Sequence, residues 1–348
     1  MPDRPLKNLF DKIVGALTVG LLEGIKHTDR RRMANFAAAF MRRVGPLFPE
    51  HRIGREQLHI AFPEKSADEL ERILAGVWDN LGRIAIEFAH LDEFCVEGFG
   101  TQTADVITYP AESQERYQWI MSSGKAAIGF AAHLANWELP GIGAKLIGVK
   151  SAVLYRRPNI GAVNDAIVKL REPLMGELIP TGLDAPVKLA RLLQSGVHVG
   201  MLADQHYSKG VEVMFFGRRC LANPLIAMLA RQTELPIYGM RVVRKPDGNS
   251  FWGEISAPVE PARDADGRIN VKGTTQAITS VIEDWIRQFP EQWLWLHRRW
   301  RWPFESDTAP SHDKKRTTRL ASPEWKVRHK FSVAGQRSLL ATADKVIE

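Results

Sequence analysis

The sequence predicts an α/β protein, a central mixed sheet covered by helices and preceded by an N-terminal helical segment. Three observations predict it. From about Gly100 onward, short apolar runs alternate with stretches of helical periodicity, the order of strands and covering helices. Runs such as residues 126–132 are apolar at nearly every position, as strands buried on both faces are. Ahead of them stands a long amphipathic helix with its own start signal.

The elements follow in order. Residues 6–25 hold an apolar stretch, 13–22, about half of the ~20 residues a spanning helix needs. Asp11, Lys12 and Glu23 bracket it, so the segment fits an amphipathic helix, lying in a membrane interface or packed on the domain. Residues 30–48 set Arg30, Arg31, Arg32, Arg42 and Arg43 among Met33, Phe36, Phe40 and Met41, a basic amphipathic helix ending near Gly45-Pro46. Ser66 and Glu69 have the spacing of a capping box. Leu70, Ile73, Leu74, Val77, Trp78, Leu81, Ile84, Ala85 and Phe88 then mark one face of a helix over about 67–89.

Strands are expected at 126–132, 151–155, 198–203, 236–243 and 251–255, the last two pairing across 245–249. Helices are expected at 138–147, 162–175, 185–193, 224–232 and 274–289. From about Ser306 the pattern dissolves into dispersed Lys and Arg with Pro310 and Pro323, the composition of a disordered basic tail. The expected division is a helical region over 1–95, an α/β domain over 96–305 and the tail over 306–348.

A chain of 348 residues buries a full core. Its formal charge of +7 favours acidic partners: anionic lipid, phosphorylated substrates, an acidic carrier protein or nucleic acid. Two cysteines exclude a disulfide framework. Neither CxxC nor HExxH occurs, so no metal site and no cofactor is expected. The N-terminus shows no secretory signal with a small-residue cleavage site.

The chemistry points to AAIGFAAHLANWE, residues 126–138. An apolar run ends in His133, and Glu138 follows five residues later. With 10 His and 40 acidic residues, about one such spacing arises by chance and three occur: His51/Glu56, His59/Glu64 and His133/Glu138. Only the third follows a strand-like run. On an ideal helix the two side chains stand about 140° apart, so they meet only if the chain turns between them. Asn136 is placed to cap the next helix. The expected arrangement is a general base, His133, with Glu138 on Nδ1 setting its tautomer. The alternative is a buried histidine beside a helix-starting acid.

Other catalytic signatures fail. There is no GxSxG elbow and no GxxxxGK[ST] loop, and Gly141-Ile142-Gly143-Ala144-Lys145-Leu146 lacks the third glycine of a dinucleotide fingerprint. Tyr155-Arg156-Arg157-Pro158 follows a strand, as a phosphate clamp or a solvated strand end does. Asp204-Gln205 also follows one. Four tryptophans fall between Trp293 and Trp302, interleaved with bases. That density suits a lipid headgroup boundary, single-stranded nucleic acid, or a core aromatic cluster with a basic rim.

HLANWE, Tyr155-Arg156, Asp204-Gln205, VMFFG at 213–217 and EQWLWLHRRW at 291–300 occur in an order that resembles the lipid A biosynthesis acyltransferases, the late acyltransferases of Gram-negative bacteria. LHIAFPE at 58–64 and the helix with Trp78, Asp79, Asn80, Gly82 and Arg83 look like that family's N-terminal region. The resemblance runs from about Leu6 to Phe304. It implies a fold like the lysophospholipid acyltransferases. It implies transfer of a fatty acyl chain from acyl carrier protein to a hydroxyl of a lipid A precursor, at the cytoplasmic face of the inner membrane, with no nucleic-acid partner. It makes His133 the base and Glu138 its partner, with Arg156, Arg171 and Asp204 as substrate-site residues. The chain departs from the family in its short N-terminal apolar stretch and in the tail after Phe304. Two other readings remain: an acyltransferase with another glycolipid or aminolipid acceptor, or a non-enzymatic basic protein that binds membrane or nucleic acid.

Overall fold

The computed structural model describes residues 4–98, 106–158 and 160–301; the basic tail lies outside them. Four helices come first: α1 (Arg4–Lys26), α2 (Arg30–Val44), α3 (Pro49–Ala61) and α4 (Ala67–Glu87). The capping box forms as the spacing predicts. The Ser66 hydroxyl accepts from the Glu69 backbone N–H at 3.3 Å, and the Ser66 backbone N–H donates to Glu69 Oε2 at 2.8 Å. The face that α4 buries carries Leu70, Leu74, Val77, Trp78 and Ile84. Each such side chain contributes about 1.5–3 kcal/mol of transfer free energy. α2 packs along α4, and α1 lies on the helix that follows β4.

The sheet domain continues with β1 (Cys95–Val96), β2 (Val106–Thr108), α5 (Ala111–Ser122), β3 (Ile128–Ala131), α6 (Leu139–Leu146), β4 (Ser151–Tyr155), α7 (Gly161–Arg171), β5 (Glu177–Pro180), α8 (Ala185–Gln194) and β6 (His198–Leu202). A hairpin of β7 (Val211–Phe215) and β8 (Arg218–Ala222) follows, then α9 (Leu225–Thr233), β9 (Ile237–Arg244), β10 (Phe251–Pro258) and α10 (Val271–Gln288). Eight strands form one mixed sheet in the order β1-β2-β10-β9-β3-β6-β4-β5. Every neighbouring pair is parallel except β9 and β10, which form the expected hairpin.

Alternation along the strands sends side chains to two faces. Ile128 and Phe130 of β3 join Val199 and Met201 of β6 in the main core, with Leu189 and Leu193 of α8 and Ile282 and Trp285 of α10. The other face carries Ala127, Gly129 and Ala131 beside His198, Gly200 and Leu202. The register pairs Gly129 with Gly200, so two facing positions have no side chain. That gap floors a cavity. β7 and β8 pair apart from the main sheet, joined at Phe216-Gly217, where both residues have positive φ. Two such residues give a two-residue turn that fits strand twist.

Candidate active site

β3 and β6 lie side by side with Ala131 opposite Leu202. Two residues beyond these partners stand His133 and Asp204. Parallel register therefore brings them together at the carboxyl edge of the sheet, where α/β proteins bind ligands. His133 Nδ1 lies 2.9 Å from Asp204 Oδ1, and the His133 backbone N–H donates to Oδ2 at 2.9 Å. The Trp293 indole N–H donates to the same Oδ2 at 2.7 Å. Burial by itself would raise the Asp204 carboxyl. The His133 ring beside it and the hydrogen bonds it accepts outweigh burial and hold it well below the usual carboxylate range. An ionised Asp204 keeps the proton on Nδ1 and leaves the Nε2 lone pair outward. Nε2 stands 3.4 Å from the Gln205 side-chain nitrogen, at the wall of the cavity.

Sequence reasoning set Glu138 on Nδ1, and here the structure differs. Ala135 takes a left-handed conformation, φ 46°, and turns the chain between the two residues. Glu138 then becomes the N-cap residue of α6. Its carboxylate receives Arg171 from the last turn of α7, Nε to Oε2 at 2.8 Å and Nη2 to Oε1 at 2.5 Å. This two-pronged pair fixes the guanidinium plane. The group lies 5.4 Å over the Phe88 ring.

His133, Glu138, Arg156 and Arg171 all line one cavity of about 820 Å³. Asp204, expected as a substrate-site residue, sits behind His133 and outside the lining. The walls are largely apolar: Leu81, Ile84 and Phe88 of α4, Tyr117 and Ile120 of α5, and the small residues of β3 and β6. The Cβ that Gly200 lacks would meet nothing within 4 Å. The cavity is largely apolar, with His133, Glu138, Arg156 and Arg171 among its polar lining residues, a composition that suits a chain with a reactive head. Among the described residues no cluster of three or more His, Cys, Asp or Glu is placed to hold a metal ion.

The chain belongs to the bacterial lipid A biosynthesis acyltransferase family. The family model matches residues 10–302. Two curated relatives are the lipid A biosynthesis palmitoleoyltransferase of Escherichia coli (strain K12) and a lipid A biosynthesis acyltransferase of Shigella flexneri. Each is 22% identical over 253 residues, which span 72% of this chain and 78% of the relative. The resemblance read from five short motifs is thus the family of the whole described domain.

In this lipid A acyltransferase family member the Trp-rich segment is core, not surface. Trp293 and Trp295 are buried, stacked edge to face at 4.5 Å between centroids. Leu134 and Trp293 form a β-bridge, and the Leu294 backbone N–H donates to His133 O at 3.1 Å. The segment therefore supports the His133 loop from behind, which removes it as a lipid or nucleic-acid surface; Trp302 lies outside the described residues. The contact of Trp293 with Asp204 is the part of the site that sequence reasoning missed. The density of tryptophan was visible, but the hydrogen bond of one of them to a residue 89 positions away was not.

Proposed function

We propose that the chain transfers a fatty acyl group from acyl carrier protein to a hydroxyl of a lipid A precursor, with His133 as general base. The observation that carries this reading is the His133–Asp204 pair, which leaves the Nε2 lone pair at the wall of a largely apolar cavity. The acceptor hydroxyl gives its proton to Nε2 as its oxygen attacks the thioester carbonyl. The tetrahedral oxyanion needs a donor nearby. Arg171 suits that role, because Glu138 holds Nε and Nη2 while Nη1 has no hydrogen-bond partner among the described residues. Collapse expels the carrier thiolate, which takes the proton back from His133. The acyl chain lies along Gly129 and Gly200, and Arg156 at the end of β4 meets an anionic group of carrier or glycolipid. Glu138 thus acts through Arg171, and Asp204 takes the orienting role first assigned to Glu138.

The same reading places the enzyme on the cytoplasmic face of the inner membrane. Among the described residues no helix is long and apolar enough to cross a bilayer. α2 supports a surface attachment. Phe36 and Phe40 are 66% and 52% exposed and stack on each other at 6.4 Å. Arg32 and Arg43 are exposed on the same side of a helix that contains no acidic residue. Ile13, Leu17 and Leu21 of α1 are exposed as well, one turn apart. Apolar side chains flanked by arginines fit the boundary of an anionic leaflet.

The test is acyl transfer by the purified protein in mixed micelles, with acyl carrier protein charged with chains of graded length and a lipid A precursor as acceptor. Product mass identifies both acyl chain and acceptor. Transfer to the lipid A precursor supports the reading. Transfer only to another glycolipid or aminolipid overturns the acceptor, and no transfer from any acyl carrier protein overturns the donor.

A further inference from the structure

The turn that joins His133 to Glu138 is held by groups that never reach the cavity. Ala135 is fully buried and left-handed, a conformation that crowds any residue with a Cβ. Its backbone groups are gripped on both sides. The Ala135 N–H donates to Gln292 O at 2.9 Å. The Asn80 side-chain amide donates to Ala135 O and to Gln292 O, each at 3.2 Å. Asn80 Oδ1 in turn accepts from Arg244 Nε at 3.0 Å. Arg244 forks onto Glu87, with Nη2 to Oε2 at 2.9 Å and Nη1 to Oε1. Asn136 closes the ring: its amide donates to Glu87 Oε2 at 2.9 Å, and its Oδ1 accepts from the Glu138 backbone N–H at 3.2 Å.

Glu87 and Asn136 are fully buried, and Asn80 and Arg244 nearly so. Asn80 and Glu87 are seven residues apart on α4, hence on one face of the helix. None of the four lines the cavity, so none touches substrate. A buried ion pair is on average no more stabilising than an apolar substitute of the same size. What this one supplies is geometry: three distant elements, α4, the end of β9 and the segment at Gln292, meet on one strained peptide.

We propose that Asn80, Glu87 and Arg244 are positioning residues for acyl transfer. They hold Ala135 left-handed, so that His133 and the Glu138–Arg171 pair face the same reacting carbon. The inference rests on His133 being the base. Without the frame, Ala135 relaxes to a right-handed or extended conformation. The base and the cation then separate, while the His133–Asp204 contact, made on the other side, persists. Small displacements of this kind lower rates without weakening ground-state binding.

The experiment compares wild type, Asn80→Ala, Asn80→Asp and the double variant Asn80→Ala/Ala135→Gly. Asn80→Asp keeps an acceptor for Arg244 and turns a carboxylate oxygen toward the two carbonyls in place of the two donors, so it serves if the alanine variant folds poorly. Crystal structures give φ at Ala135, and steady-state kinetics below the melting temperature give kcat and KM. The expected result is that Ala135 leaves the left-handed region in the single variants. Their kcat should fall by about 10–100-fold with KM for the acyl donor held. Glycine adopts positive φ without a steric penalty, so the double variant should recover most of kcat. An Ala135 that stays left-handed in the single variants overturns the proposal whatever the activity. So does a loss of kcat that Ala135→Gly does not restore. A wild type inactive on every donor sinks the acyl-transfer reading instead, and the φ of Ala135 still decides whether the frame holds the turn.

Discussion

His133 and Asp204 are 71 residues apart in the chain and 2.9 Å apart in space. The same offset of 71 separates every registered pair of β3 and β6, from Ile128 with Val199 to Ala131 with Leu202. This contact is the sheet register carried two residues past the strand ends. Asp204→Asn should therefore be severe. An amide nitrogen facing Nδ1 donates where the carboxylate accepted. That puts the ring proton on Nε2 and removes the base. We expect kcat to fall by about 10³–10⁴-fold with little change in KM for the acyl donor. Near-normal kcat in a folded Asp204→Asn protein would remove Asp204 from the mechanism.

Glu138 and Arg171 should behave as one unit. Arg171→Lys keeps the charge but cannot form the two-pronged contact with Glu138. We expect kcat to fall by about 100-fold, the typical cost of one lost oxyanion donor. Glu138→Gln should cost a comparable factor, because it frees the guanidinium plane. A double-mutant cycle in kcat/KM measures the coupling. Losses that multiply independently would show that the two side chains work apart.

How far this site was legible in the sequence follows from these pairs. His133 was legible because an apolar run ends at it. The helix at α4 was legible because Ser66, Glu69 and nine apolar positions agree. β3, β4, β6, β9 and the hairpin to β10 were legible as runs between turn signals. The partner of His133 was not. Glu138 is near in sequence, yet the left-handed turn at Ala135 sends it to Arg171, and no local pattern marks an alanine for positive φ. Asp204 was singled out for following a strand, but its pairing depends on strand order, which periodicity does not encode. β1, β2 and β5 went unread because their two to four residues stand in no longer apolar run, unlike the four of β3. α5 went unread because only Ser113 and Ile120 are buried along it, leaving no apolar stripe. The tryptophans of 293–300 left three readings open, of which the buried cluster is the one found, because composition alone does not separate a core cluster from a membrane belt.

His297 makes stability depend on pH. Burial pushes its imidazole down to about 4, although the nearby Asp204 carboxylate pulls the other way. Its Nδ1 lies 2.7 Å from Leu294 O, and it stays neutral in the folded protein. The unfolded chain takes up a proton near the ordinary value of 6.5. Between pH 6.5 and 4 the unfolded state therefore binds more protons, and stability falls as pH falls, by up to about 3 kcal/mol. Asp204 acts in a different window: its depressed carboxyl loses stabilisation only as pH drops below about 4. Urea unfolding of wild type and His297→Gln from pH 7 to 4.5 checks this. The variant should show the shallower slope; equal slopes would rule His297 out.

Phe36 and Phe40 should govern attachment to lipid. Replacing both with serine removes two exposed aromatic side chains from a helix whose buried face is elsewhere. Sedimentation with phosphatidylglycerol vesicles should show partition weakened by at least about tenfold. The circular dichroism spectrum should be unchanged. Wild-type binding should also weaken as salt screens the flanking arginines. Undiminished partition in the double variant would move the attachment surface away from α2.

The central claim is that His133 Nε2 accepts the proton of the attacking hydroxyl. The measurement that tests it most directly is single-turnover acyl transfer from acyl carrier protein to the lipid A precursor by wild type and His133→Gln, followed by product mass. Melting curves establish that both proteins are folded. The account predicts a gained acyl mass with wild type and a rate at least about 10²-fold lower with His133→Gln. Equal rates from the two folded proteins would contradict it.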